Sequence, residues 1–253
     1  MPKAADGAVA RLARIPFFQG ADPVALNEMA PLAHWLTLKA GEQVIGFGDN
    51  TNDVFLIEDG AVRVIVQTRL GHEVIFGDLG AGELFGEIAA IDGAPRSASV
   101  TALHPTHLCK IPAEGFLGIA LRSPDVGRRL MRKLVERLRL QDERNLELVS
   151  LPVRLRLAAE LLRLSRPRGG TEGADGTDDA PRIVSPPPHH HVLAARVGAR
   201  REAVSRELSA LAKEGLLVAT ARGIVLTRPV ALRALVDTLL GGSEDVLNIE
   251  SKW

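Results

Sequence analysis

Between Leu36 and Ile111 the apolar residues come in short runs, and a turn residue cuts each one. Leu36/Leu38, Val44/Ile45, Val54 to Ile57, Val62/Val64/Val66 and Val74/Ile75/Phe76 are followed in turn by Gly41, Gly48-Asp49-Asn50, Asp59-Gly60, Gly71 and Gly77-Asp78. Glycine, aspartate and asparagine tolerate the backbone angles of tight turns, and runs this short fit strands rather than helices. The spacing predicts a sandwich or barrel made of hairpins.

The texture then changes. From Gly127 to Arg163 there is no further glycine and one proline, Pro152, while Leu130, Leu134, Leu138, Gln141, Asn145 and Leu148 recur at three- and four-residue steps. That predicts a long helix with one apolar stripe and polar residues at its middle, as suits the seam of a parallel dimer. Asp125 and Arg163 lie near the ends that the helix dipole favours for them. The competing reading packs the helix on its own β-domain.

Residues 165–188, SRPRGGTEGADGTDDAPRIVSPPP, read as a linker ending in a short strand at Ile183-Val184. HHHVLAARVGARREAVSRELSALAKEGLL follows as two helical stretches split at Val197-Gly198-Ala199. VATARGIVL then gives a strand, a turn at Arg222-Gly223 and a strand. The order is that of a helix–turn–helix with a β-wing.

Charge divides the chain the same way. Its net charge of zero hides 5 cationic against 13 acidic residues over 20–120, 11 against 6 over 122–164, and 9 against 4 over 182–240. A basic carboxyl half suits a polyanionic partner. Cys109 is the sole cysteine, which excludes an intramolecular disulfide, a cysteine-ligated zinc and an iron–sulfur cluster held by the chain's own thiolates. The opening MPKAADGAVARLARIPFF lacks a sustained apolar run, and no later run approaches a membrane span, so a cytoplasmic protein with no membrane contact is expected.

Two stretches carry chemistry. In the second helix of the carboxyl domain, which begins near Arg200, Arg201, Glu202, Ser205 and Arg206 occupy adjoining faces while Ala203, Val204, Leu208 and Leu211 turn inward. Arginine reads guanine and glutamate accepts from cytosine in the major groove. His189, His191 and Ser205 suit phosphate contacts. The triple histidine, 189–191, lacks a carboxylate or cysteine at ligand spacing, so no metal is expected there. In GELFGEIAAIDGAPRSAS, residues 82–99, Arg96 can bind a phosphodiester bidentately and Gly86 allows close backbone approach. Glu87 can accept from a hydroxyl, and Ser97 can donate to a phosphate oxygen. By residue type alone, a structural Arg96–Glu87 ion pair fits as well.

FGEIAAIDGAPRSAS resembles, nearly residue for residue, the phosphate-binding cassette of the cyclic AMP receptor protein/fumarate-nitrate reductase regulator family of bacterial transcription factors. GARREAVSREL resembles that family's recognition helix, and the resemblance covers roughly residues 12–235. It implies an α+β chain: a cyclic-nucleotide-binding β-roll over 12–122, a dimerisation helix and hinge over 123–164, a flexible linker over 165–188, a winged helix–turn–helix over 189–240, and a tail over 241–253. Ile88 joins Gly86, Glu87, Arg96 and Ser97 in the implied cassette. Gln141 and Asp142 take the purine-facing positions. Cyclic AMP is the implied effector, with cyclic GMP the competitor because a carboxylate at Asp142 matches guanine's two neighbouring N–H donors. Arg201, Glu202 and Arg206 match the base-reading triplet, which implies a homodimer on TGTGA-like half-sites in an inverted repeat, with RNA polymerase a further partner.

Other branches of the family fit less well. The iron–sulfur branch needs several cysteines. A haem branch would need ligands such as His34, His72 or Cys109, and His72 in a turn and Cys109 in a strand each have an ordinary structural reading. No nucleophile–base arrangement or nucleotide-hydrolysing loop points to an enzyme. A cyclic-nucleotide module that regulates a protein partner rather than DNA is the alternative of a different class.

Overall fold

The computed structural model describes residues 3–68, 73–168 and 180–240. The chain divides into two compact units between Arg139 and Leu140.

The first unit opens with α1 (Lys3–Ala13) and α2 (Pro23–Met29). Asp22 caps α2 by accepting from the Ala25 amide at 2.9 Å, with Pro23 pre-set for the first turn. The strands are β1 (His34–Leu38), β2 (Gln43–Ile45), β3 (Val54–Asp59), β4 (Ala61–Gln67), β5 (Glu73–Gly80) and β6 (Leu84–Phe85). After α3 (Glu87–Asp92) come β7 (Ser99–Ala102) and β8 (Thr106–Ile111). They form two four-stranded antiparallel sheets, β1-β8-β3-β6 and β2-β7-β4-β5. A double-sheet architecture is what the punctuation predicts, but among the described strands of this unit only β4 and β5 pair with a sequence neighbour. Alternation tells which face a residue takes and says nothing about the partner strand.

The run Val54 to Ile57 shows how the core is divided. Phe55 and Ile57 join Leu38, Val62, Phe85 and Leu108 between the sheets. Val54 and Leu56 point the other way, to a second core with Leu12, Phe18, Met29 and Phe116. Both faces of β3 are covered, so its apolar run does not alternate. Cys109 lies in the second core, fully buried, and burial pushes its thiol up to about 12. It is a packing residue with an unreactive thiol.

α4 (Ala113–Arg122) leads into α5 (Pro124–Ser150). Here the expected stripe is corrected. Leu130 is buried in the first unit's core and Leu134 packs against it, so the start of that stripe serves the β-domain. An exposed heptad-spaced row on α5 keeps Leu138 and Asn145 of that stripe and adds Met131, Val135, Asp142 and Val149. The reading that packs the helix on its own β-domain holds for the face of Leu130 and Leu134.

The long helix expected between Gly127 and Arg163 is two. α5 ends at Ser150, and α6 runs from Val153 to Leu164 with Pro152 extended at its N-cap. Proline lacks the amide and its ring clashes with the preceding turn, so the helix restarts there. β9 (Arg166–Pro167) and β10 (Arg182–Val184) follow, then α7 (His190–Val197), α8 (Arg201–Lys213), β11 (Leu217–Thr220), β12 (Gly223–Leu226) and α9 (Pro229–Leu240). The strands form a sheet in the order β11-β12-β10-β9, and the core gathers Leu157, Leu161, Leu193, Val204, Leu211, Leu226 and Leu232. The strand expected at Ile183-Val184 is present. Residues 169–179 of the linker, the tail 241–253 and His72 lie outside the described residues.

A buried ionic cluster ties three helices of the second unit together. Glu160 of α6 is 1% exposed and takes Arg196 of α7 on Oε1 at 3.0 Å. Its Oε2 takes Arg163 at 3.0 Å and Arg144 of α5 at 3.5 Å. Arg163 also donates bidentately to Glu147 of α5 at 2.6 and 2.9 Å. Burial works against the Arg163 charge, but its bonds to Glu147 and Glu160 outweigh it and raise its pKa. For Arg144 burial wins and the shift is downward.

Candidate functional site

In the first unit the site is built around Gly86. It sits between β6 and α3 at φ 85°, the left-handed region that glycine enters without strain. A Cβ there would lie 2.7 Å from the Asp53 carbonyl oxygen and 2.8 Å from Arg96 Nη1, so the position admits no side chain. Glu87 begins α3, whose first amides, like those of any helix, have no acceptor within the helix and suit an anion.

Arg96 is 4% exposed and anchored on every nitrogen. Nε donates to Thr51 Oγ1 at 2.9 Å, Nη1 to the Gly86 carbonyl at 2.9 Å, and Nη2 to the Asp53 carbonyl at 2.8 Å. Its backbone is pinned as well, through Arg96 N to Asp49 O and Gly48 N to Arg96 O, each 2.9 Å. A guanidinium has five N–H groups, so this anchoring leaves two for a ligand. Burial pushes its pKa below the usual value, against the pull of Asp53, Asp49 and Glu87.

Glu87 does not pair with Arg96. Its carboxylate, buried at 2% side-chain exposure, is held by Arg137 of α5, whose other guanidinium nitrogen donates to the Leu84 carbonyl. The structural Arg96–Glu87 ion pair that residue types alone allowed is therefore not formed. Ser97 and Ile88 are exposed beside this group, and Gln141 and Asp142 are exposed residues of α5 that fall in the second unit. Sequence reasoning missed Thr51, Asp53 and Arg137. The first two sit in a stretch read only as a turn, and Arg137 is one of many arginines on a basic helix.

In the second unit, α7 ends at Gly198, left-handed at φ 59°, and α8 starts after Arg200 at its N-cap. Arg200, Arg201, Glu202 and Arg206 are exposed, while Val204, Leu208 and Leu211 are buried beneath them. His189 and His191 stack ring on ring at 5.5 Å, both exposed. Ser205 is half-buried, and its hydroxyl meets His190 Nδ1 at 2.7 Å. β11 and β12 form the hairpin expected as the wing, turning at Ala221 and Arg222.

Residues 35–123 match the cyclic nucleotide-binding domain and residues 155–235 the Crp-like helix-turn-helix domain. The chain is 34% identical over 218 residues to the cyclic AMP receptor protein of Thermus thermophilus, covering 86% of this chain and 94% of that one. The chain belongs to the cyclic AMP receptor protein family of transcription regulators.

A second member, the CRP-like cAMP-activated global transcriptional regulator of Mycobacterium tuberculosis, is 25% identical over 216 residues, or 85% of this chain and 94% of that one. The solved structure of FixK2 from Bradyrhizobium japonicum superimposes with a TM-score of 0.66 at 24% identity, over 80% of this chain and 96% of that one, and shares the fold. As a family member, the chain is a cyclic-nucleotide-binding, DNA-binding transcription regulator. No helix among its described residues is long and apolar enough to cross a membrane.

Proposed function

We propose that the protein is a cytoplasmic homodimer whose affinity for specific DNA rises or falls when cyclic AMP binds. The observation that carries the effector half is the anchored Arg96: a buried cation with N–H groups to spare, beside a glycine that admits no side chain and the buried carboxylate of Glu87. A cyclic phosphodiester needs such a cation, and a ribose hydroxyl needs such an acceptor. Ser97 donates to the phosphate, and Gln141 and Asp142 read the purine edge. Adenine's amino group suits either of them, and guanine's paired donors suit Asp142 best.

The exposed row Met131, Val135, Leu138, Asp142, Asn145 and Val149 supports a dimer seam along α5. Ligand binding acts as a population shift between arrangements of the paired helices. The favoured arrangement holds two α8 helices about one DNA turn apart, roughly 34 Å. Titration calorimetry with cyclic AMP and, separately, cyclic GMP tests the effector: tight binding of cyclic AMP alone is expected. A preference for cyclic GMP would reassign the purine contact to Asp142, and heat from neither would remove the sensor reading.

Arg201, Glu202 and Arg206 supply the base contacts on TGTGA-like inverted half-sites, with His189, His191 and Arg200 on phosphates. Arg201→Ala is expected to weaken binding to such a duplex by about 1–3 kcal/mol, roughly five- to 150-fold, while binding to a mixed-sequence duplex changes far less. Fluorescence anisotropy on both duplexes reads the ratio. Equal losses would make Arg201 a phosphate contact.

A further inference from the structure

His190 belongs to neither set of contacts named above, yet it links α7 to the half-buried Ser205 of α8: Nδ1 lies 2.7 Å from Ser205 Oγ. That distance is a full hydrogen bond, and its direction depends on the imidazole's protons. A neutral ring offers Nδ1 either as acceptor or as donor, so the Ser205 hydroxyl hydrogen can be drawn inward to the ring. An imidazolium can only donate, so that hydrogen is then released to point elsewhere. Ser205 stands one residue before the exposed Arg206 and four after the exposed Arg201. A DNA phosphate accepts and never donates.

On α6, packed against α7, Glu160 and Arg163 are tied into the buried cluster and Arg154 is paired with Glu214, leaving the half-buried Arg156. On α8, the first two turns carry Arg201 and Arg206 against Glu202 and Glu207, which cancel in sum, and Lys213 is at the far end. His191 of α7 stacks on His189, the residue before the helix, and Arg196 pairs with Glu160 in the buried cluster.

We propose that His190 is a positioning residue for DNA recognition, setting the direction in which the Ser205 hydroxyl donates, so that protonating the imidazole turns Ser205 toward a phosphate and tightens DNA binding. The inference rests on α8 being the DNA-reading helix. Since the bound form takes up a proton, the extra affinity is present on the acid side and falls as pH rises.

The test measures binding of the full-length protein to a mixed-sequence duplex between about pH 6 and about pH 8, because phosphate contacts need neither an operator nor an effector. A hydrogen bond's worth of difference, roughly two- to tenfold, is expected between the two ends for the wild type. His189 and His191 contribute a background that persists in every variant. The His190-dependent part should vanish in Ser205→Ala and flatten in His190→Asn, whose amide stands near the place of Nδ1 but does not titrate. The double variant should lose no more than either alone. Identical pH profiles for wild type and His190→Asn would overturn the proposal. So would a full His190 effect surviving in Ser205→Ala, which would make the histidine a direct phosphate contact. Absence of binding at every pH would instead overturn the DNA-reading role of α8, and this proposal with it.

Discussion

Arg96→Gln is expected to raise the dissociation constant for cyclic AMP roughly thirty-fold to several thousand-fold, measured by titration calorimetry. The figure follows from removing one partner of a desolvated, hydrogen-bonded charge pair, which costs about 2–5 kcal/mol. Glutamine keeps some length and two N–H groups but loses the charge that neutralises the phosphodiester. The structure adds a second consequence. Arg96 also satisfies the carbonyls of Gly86 and Asp53 and the Thr51 hydroxyl, so its removal strips partners from buried backbone. Each orphaned group costs about 1–3 kcal/mol, and a lower melting temperature should accompany the lost affinity. The two effects separate in Thr51→Ala, which loosens the anchor while leaving the cation in place, and should lose less affinity than Arg96→Gln. Unchanged nucleotide binding in Arg96→Gln would dismiss the site.

Glu160→Gln is expected to destabilise the second unit by about 3–5 kcal/mol, the usual consequence of taking one partner from a buried ion pair. Here three arginines, Arg144, Arg163 and Arg196, share the carboxylate that is neutralised. The network joins α5, α6 and α7, so the damage should localise. Amide hydrogen exchange should accelerate across residues 153–168 and 180–236 while β3 and β8 in the first unit stay protected. Denaturant unfolding gives the magnitude, and a change below about 1 kcal/mol would show that water or rearrangement relieves the arginines. Replacing Glu160 and its partners together by well-packed apolar residues is not bound by this loss, because such exchanges are often neutral.

The parts of the chain legible without coordinates are those encoded locally. Turn residues between short apolar runs marked β1 to β5, and the spacing around Gly198 marked α7 and α8, because backbone preference and face periodicity act within a few residues. The cassette around Gly86 and Arg96 was legible for the same reason, as its residue types sit within a dozen positions of one another. What surrounds them was not. Thr51 and Asp53 reach Arg96 across 45 and 43 residues, and Arg137 reaches Glu87 across 50. Nothing local separates Arg137 from the solvated arginines beside it on α5. Leu130 and Met131 are both apolar neighbours on one helix, yet one is buried in the β-domain core and the other is 62% exposed. The sequence alone determined β1 to β5, the helix–turn–helix with its wing, and which residue types lie together for an anion and for DNA. Only the tertiary structure decided which cation is anchored, which carboxylate is already paired and which helix face stays open, because burial and partner choice depend on contacts between residues far apart in the chain.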